Sequence, residues 1–436
     1  MTKEKFDWRK WIAIGFLGIG EGAIYFLPYI RNVYYTPMLK IMGVTNANMG
    51  WLMSFFAIGC MIMYIPGGII TDTWDSKKCI TISLSATAII VGAFAFFMNY
   101  TFAQVVWILL AFSTTFVFWT ATMKTVRMMA SKKEQGRVYS IFYAINGASA
   151  VIVQTISLAL FQHSSSPVVG LRTVLLINTG VLLLCAIMCQ IFIPNKKAMA
   201  ERLAAEGESN KFNWKDVGKV LVNPHVWLIV IIMFCVYGVY TNVYWFSNYL
   251  TDVKKMSDSA GQILGLIRNT YMMFVCSLLG SVAVGAFKKR STYIAVCTIG
   301  TAIMCFLFMI LQNTGATALG IISLFPSAFM LLCYGVVYSL FDEYKVPVAI
   351  AGTAIGIVSI LGYTPDLLFG TILGGFVDRA KAAGNIAAGY MSIFVFFGIL
   401  GIVAAAAALM GLYLMKKKSI TAAAKPADAD KVLTNV

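Results

Sequence analysis

Histidine and charge are what this sequence has least of. The two histidines, His163 and His225, both fall at the ends of apolar stretches, so the chain has no material for a histidine-based metal or catalytic cluster. Charged residues make up 12% of the 436 positions and hydrophobic residues 59%, where soluble globular chains run near 25% and about 45–50%. A soluble domain of this length cannot hide so much apolar surface, because its own surface grows too fast with size. The composition therefore excludes a soluble fold and makes lipid the remaining solvent. Acidic residues are also few, 18 against 34 basic ones, for a net charge of +16. Such an excess could suit nucleic acid, but its placement argues otherwise. The basic residues stand in short clusters between apolar segments of membrane-spanning length, where they read as topology signals facing an anionic inner leaflet. Nine cysteines are present, and Cys185 and Cys189 share a helix face, yet no further ligands accompany them. They read as small packing residues. With no nucleophile–base pair and no ligand cluster evident, the expectation is neither an enzyme nor a cofactor or metal protein.

What is present is a series of apolar segments. A membrane-spanning helix needs about 20 largely apolar residues. Reading between charge clusters and turn residues places spans at 11–38, 49–70, 79–98, 103–129, 137–161 and 171–193. A second set follows at 226–250, 259–287, 292–312, 318–341, 349–377 and 388–415. The first segment is too long for the apolar region of a signal peptide and is interrupted by Glu21, so it is expected to stay as a span. Pro194 to Pro224 is the longest internal polar stretch and separates the sets. The expected organisation is a six-helix bundle at 1–195, a cytoplasmic linker at 196–223, a second six-helix bundle at 224–418, and a disordered cytoplasmic tail at 419–436.

Orientation follows from the loops. With the N-terminus cytoplasmic, 25 lysines and arginines fall on the inner side and six on the outer side, with Arg31, Lys124 and Arg268 left inside spans. This asymmetry predicts that both termini face the cytoplasm, in an inner or plasma membrane.

The loop after the second span reads Gly67-Gly68-Ile69-Ile70-Thr71-Asp72-Thr73-Trp74-Asp75-Ser76-Lys77-Lys78. It resembles the loop signature of the major facilitator superfamily: a glycine, three residues, an aspartate, then basic residues. Thr73 stands where that pattern carries a basic residue, and the equivalent stretch Gly280 to Arg290 keeps glycines and basic residues without an acid. A half-degenerate repeat of this kind suits two fused six-helix halves. The resemblance implies an all-α membrane protein of twelve helices in two pseudo-symmetric bundles, with spans 1, 4, 7, 8, 10 and 11 around a central cavity. It also implies a gating role for Asp72 at a cytoplasmic helix end.

Lys124-Thr125-Val126-Arg127 and Ser131 through Arg137 look like the corresponding region of the organic-phosphate antiporters, as does Pro37 through Gly43 to Gly50. Lys124, Arg127 and Arg137 are accordingly candidate gating residues. Gly362-Tyr363-Thr364-Pro365-Asp366 is similar to a pattern in a group of bacterial permeases. Two departures matter. Asn146 stands where the phosphate antiporters carry a substrate-binding histidine, and their arginine in span seven has no counterpart between Trp227 and Leu250.

A charge near the middle of a membrane helix costs about 2.5–3.5 kcal/mol on insertion scales, so each needs a partner or a watery cavity. Arg31 and Arg268 come out at similar depths in spans one and eight. Each reads either as a contact for an anionic substrate or as half of a structural ion pair with Asp366 or Glu21. Those two carboxylates are the candidate proton-coupling groups, because desolvation favours the neutral form. Tyr237, Tyr240 and Tyr244 recur at helical spacing in span seven and are candidates to stack on a sugar-like solute. Trp245 and Tyr249, nearer the end, fit an interfacial belt equally well. Pro365 removes a backbone donor beside Asp366 and predicts a kink there.

The expectation is a monomeric secondary transporter in the lipid bilayer. Its substrate is expected to be a small organic anion such as a sugar acid, sulfonate or sugar phosphate, with protons as coupling ion. The alternatives are an exporter of an amphipathic compound and a non-transporting solute receptor on the same fold.

Overall fold

The computed structural model describes residues 8–129, 135–194, 217–346 and 348–423. Those residues form helices and turns and contain no strand. The N-terminal half holds α1 (Trp8–Ile24), α2 (Arg31–Met42), α3 (Asn46–Thr73), α4 (Ser76–Phe96), α5 (Tyr100–Thr115), α6 (Phe118–Met128), α7 (Gln135–Gln162) and α8 (Pro167–Phe192). A short α9 (Val217–Leu221) precedes α10 (Pro224–Tyr240), α11 (Tyr244–Asp252) and α12 (Asp258–Leu266). A π-helical turn, Ile267–Tyr271, joins α12 to α13 (Met272–Ala283). Then come α14 (Arg290–Ile310), α15 (Ala316–Ile322), α16 (Leu324–Tyr334), α17 (Leu340–Glu343), α18 (Val348–Gly362), α19 (Pro365–Ala382) and α20 (Ile386–Ala423).

Helix starts are written in the sequence. Thr45, Asp75, Asn99, Ser166, Asn223 and Ser257 each stand before a helix and accept a backbone N–H from its first turn. Short polar side chains do this because the first N–H groups of a helix have no partner within it. Gly43 ends α2 at φ 63°, a left-handed conformation that costs glycine nothing, and its N–H returns to the Leu39 carbonyl.

Among the described residues, eleven helical stretches are long and apolar enough to cross a membrane. The twelfth expected span, 11–38, is present as α1 and α2, of 17 and 12 residues, separated by a turn. Pro28 is the physical reason: it has no N–H to give and its ring clashes with the preceding turn. The chain tightens instead, with Ile30 N bonding Leu27 O at 3.2 Å and Asn32 N bonding Tyr29 O at 3.0 Å.

The fold is two six-helix bundles with matching internal contacts. In the first, α4 packs on α8 and α3 on α5; in the second, α14 packs on α20 and α13 on α16. These are the same span pairs shifted by six. Large apolar side chains line the outside, as at Ile89 (69% exposed), Val282 (76%) and Ile310 (75%), which is the surface a lipid environment demands. The interior is apolar and aromatic: Phe246 stacks on Phe394 at 4.6 Å, with Phe308 and Tyr249 against them. All nine cysteines are free and buried.

Most of the expected linker, and the tail beyond Ala423, lie outside the described residues. The last helix, α20, continues to Ala423, five residues past the expected end of the second bundle at 418. The side chains of Asp72, Arg127 and Arg137 also lie outside the described set.

Candidate substrate and coupling site

Three helix breaks meet between the halves. The first is the turn at 25–30, the second the turn at 241–243 between α10 and α11, and the third the turn at Tyr363–Thr364 before α19. Each break frees backbone from helical register and brings polar side chains to mid-span. Broken helices at membrane depth are tolerated where they line a cavity or are buried in protein.

Asp366 is the centre of this meeting. It sits in the first turn of α19, directly after Pro365, where the positive end of the helix dipole favours an acid. It is 5% exposed. Its Oδ2 accepts from Tyr237 Oη at 2.5 Å and from Tyr29 Oη at 2.8 Å, and the two phenols are 3.1 Å apart. Tyr29 comes from the first break and Tyr237 from the helix before the second. One carboxylate oxygen thus ties both bundles together. The other oxygen, Oδ1, makes no hydrogen bond and faces Arg31 Nη2 at 3.9 Å. That spacing is an ion pair without a hydrogen bond.

Arg31 opens α2. It is 3% exposed, yet Nε, Nη1 and Nη2 all lack a hydrogen-bond partner. Its guanidinium lies over the Tyr244 ring at 5.0 Å, and Tyr244 in turn stacks on Tyr35 at 5.2 Å. Glycine makes the approach possible. A Cβ on Gly370 would stand 2.9 Å from Arg31 Nη1 and 3.0 Å from Gly50 Cα. Beside Arg31 a small cavity of about 20 Å³, room for roughly one water, is lined by Asn32, Thr36, Ser247, Asn248 and Gln262. Asn32 Oδ1 and Asn248 Nδ2 are buried there without partners. Buried polar atoms left unmet are costly, and here they gather around one guanidinium.

The decisive comparison is with whole families. A sequence model described as the Major Facilitator Superfamily matches residues 11–370. The chain belongs to that superfamily. It is 26% identical to the inner membrane protein YqcE of Escherichia coli K12 over 430 residues, covering 97% of this chain and 98% of that one. It is 22% identical to the inner membrane protein YihN of the same organism, covering 94% and 96%. Among solved structures, a D-xylose–proton symporter superposes with a TM-score of 0.71 at 14% identity, covering 92% of this chain and 96% of that one. The nucleoside transporter NupG superposes with a TM-score of 0.69 at 15% identity, covering 93% and 99%. The chain is therefore an integral membrane protein on the superfamily's transporter fold, and its neighbours on that fold include a sugar–proton symporter and a nucleoside transporter.

Placed on this facilitator fold, the residues expected from sequence separate into groups. Arg31, Asp366, Tyr237 and Tyr244 come together as described. Tyr240 stands next to them, its ring 6.1 Å from Tyr237 and 5.2 Å from Tyr334, with its hydroxyl on Met273 Sδ at 3.2 Å. Arg268 does not join this cluster. It lies in the π-helical turn, fully buried, and donates to Ser247 Oγ at 2.8 Å and Ser323 Oγ at 2.5 Å. Glu21 is 6% exposed on α1 with Oε2 unbonded. Asn146 is half-buried on α7 and faces α1, where a Cβ on Gly22 would be 3.3 Å from its Oδ1. Lys124 is half-buried on α6.

Tyr29 was not among the sequence candidates, and neither was Tyr363, whose ring lies 4.5 Å from Tyr237 and whose hydroxyl bonds Tyr338 at 3.1 Å. Tyr29 follows a readable signal. It comes directly after Pro28 in an apolar span, as Asp366 comes directly after Pro365.

Proposed function

We propose that this facilitator carries a small organic anion of the sugar-acid, sulfonate or sugar-phosphate class by alternating access, together with a proton. The observation that carries the reading is Arg31: a buried guanidinium with three unbonded nitrogens, held 3.9 Å from a single carboxylate. While Asp366 is ionised it neutralises Arg31. When Asp366 takes a proton, Arg31 is left as an unpaired buried cation, and an anion supplies the missing charge. A guanidinium fork suits a carboxylate, sulfonate or phosphate because it can give two parallel hydrogen bonds. Proton and anion then bind together or not at all, which is the condition for coupling.

The tyrosines support a hydroxylated body on that anion. Tyr29, Tyr237, Tyr240, Tyr334 and Tyr363 offer aromatic faces and phenol oxygens within one region, and such side chains combine apolar contact with a polar tip. The solved structures that share the fold include a sugar–proton symporter and a nucleoside transporter, both named for hydroxyl-rich solutes. In this reading Arg268 is a positioning residue that ties α11 to the start of α16, and Glu21 is a second candidate for coupling. Both termini are assigned to the cytoplasm on the 25-to-six basic asymmetry.

The test is a thermal-shift screen of the purified protein against sugar acids, sulfonates and sugar phosphates, followed by counterflow in proteoliposomes with whatever binds. A ligand of the folded state raises the melting temperature. Stabilisation by an anion with matching counterflow is the expected outcome. Counterflow of neutral sugars with no response to anions would overturn the substrate class, and binding without any exchange would point to a receptor.

A further inference from the structure

The ends of the two bundles that lie away from the termini are fastened by a contact distinct from the site. α3 begins there, and its first four backbone N–H groups need partners from outside the helix. Thr45 supplies one, its side chain accepting from Asn48 N at 3.2 Å, while its carbonyl takes the first helical bond from Met49 N at 3.0 Å. Two more, those of Asn46 and Ala47, are met by the opposite bundle. Asp378, near the end of α19, accepts from Asn46 N at 3.2 Å through Oδ1 and from Ala47 N at 2.8 Å through Oδ2. The Asn46 side-chain amide adds a third bond to Oδ1 at 2.7 Å. A carboxylate on a helix N-terminus is favoured twice, by charge-assisted hydrogen bonds and by the helix dipole.

The helices touch closely enough for this only because of glycine. A Cβ on Gly374 would stand 2.6 Å from the Asn46 carbonyl carbon, and one on Gly50 would fall on the Gly370 carbonyl. Further in, Ser54 Oγ donates to the Leu367 carbonyl at 2.6 Å. The same end also has a Lys40–Asp258 pair at 2.9 Å, but its side chains are 66% and 47% exposed, and such pairs hold little. Asp378 also has a line to the site. Asn46 Oδ1 accepts from Tyr35 Oη at 2.9 Å, Tyr35 stacks on Tyr244, and Tyr244 lies under Arg31.

We propose that Asp378 is the latch of the distal gate: it holds this end closed by capping α3 from the other bundle, and the carrier must release it to open there. The inference rests on the alternating-access reading but not on the identity of the substrate or the coupling ion. In the open state Asn46 N and Ala47 N exchange their carboxylate partner for water, so the latch sets how often that state is visited. Because Tyr35 and Tyr244 join the latch to Arg31, filling the site bears on the same contact.

Spin labels at Thr101 and Gln312, exposed on opposite bundles at this end, would read the gate as a distance in a variant with the native cysteines replaced. No ligand is needed, so the outcome is independent of the substrate proposal. The unsubstituted protein is expected to show mainly one short distance. Asp378→Ala should move several-fold more of the population to a distance longer by several ångströms, with Lys40→Ala leaving the distribution nearly unchanged. Asn46→Asp is the second variant. It keeps Asp378 and the backbone but sets two carboxylates against each other, and it should open the gate in the same way. An unchanged distance distribution in a folded Asp378→Ala protein would overturn the proposal. Should that variant not fold, an unchanged distribution in Asn46→Asp would overturn it.

Discussion

The two buried arginines of this molecule invite comparison. Arg31 and Arg268 lie at similar depth, both are almost without exposure, and both stand where a helix departs from regular form. Their surroundings differ. Arg268 is held by two serine hydroxyls from its own bundle and lies 5.8 Å from the Phe246 ring. Arg31 has no hydrogen bond at all, faces an acid from the opposite bundle and borders a polar cavity. A charge fixed within one bundle moves with that bundle and sees little change during transport. A charge shared between bundles changes its partners whenever the bundles move. On the function proposed above, the difference gives Arg268 a positioning role and Arg31 the anion, although Arg268 Nε is also unbonded.

The largest effect should come from exchanging these roles by mutation. Arg31→Ala is expected to weaken anion binding by about 100-fold or more, the loss of two charge-assisted hydrogen bonds, and to lower the melting temperature because it leaves Asp366 buried without its partner. Arg268→Ala should instead spare binding, lowering stability by roughly 3 kcal/mol through the loss of two hydrogen bonds from a charged group while a folded fraction still binds the anion. Paired measurements of affinity and melting temperature check both, and equal loss of binding in the two would dissolve the distinction.

The glycine that lets Arg31 approach α19 gives the next effect. Gly370→Val should abolish transport, because even a Cβ there meets Arg31 Nη1 and Gly50, whereas Gly375→Val, with open space around it, should be tolerated. Transport assays on both, normalised to protein in the membrane, decide it. A smaller effect is expected at the phenols. Tyr237→Phe or Tyr29→Phe removes one hydrogen bond to Asp366 and should change uptake by about tenfold, on the scale of 1.5 kcal/mol for a bond to a charged group. The smallest is Ser323→Ala, which leaves Arg268 its Ser247 partner and should cost about 1 kcal/mol in unfolding experiments, with uptake unchanged.

Much of this was readable before any coordinates. The apolar lengths and the loop after span two point to the facilitator fold, because lipid dictates helix length and leaves few alternatives. Asp366 was legible as a candidate residue, since a proline beside an acid in an apolar span breaks a helix at a charge, and it was also legible as a partner for Arg31. Tyr29 was missed although Pro28 carries the same signal. The separation of Arg268 from Arg31 was not legible. Depth along a span can be counted from sequence, but the direction a side chain faces depends on helix rotation, and the π-helical turn at Ile267–Tyr271 shifts that rotation without a sequence mark. Asp378 reads as one more charge at a helix end, beside Arg379 and Lys381. Only the packing of α19 on α3 reveals what it caps.

The central claim is that the proton on Asp366 decides whether Arg31 is free to take an anion. It is tested most directly by measuring anion affinity against pH in the unsubstituted protein and in Asp366→Asn, using an anion that the screen has identified. In the unsubstituted protein, affinity should fall as pH rises and Asp366 loses its proton to become the partner of Arg31. Asp366→Asn mimics the protonated acid, so it should bind at every pH with the affinity seen at low pH, and exchange substrate without accumulating it. Loss of binding in Asp366→Asn, or an unaltered pH dependence, would contradict the account.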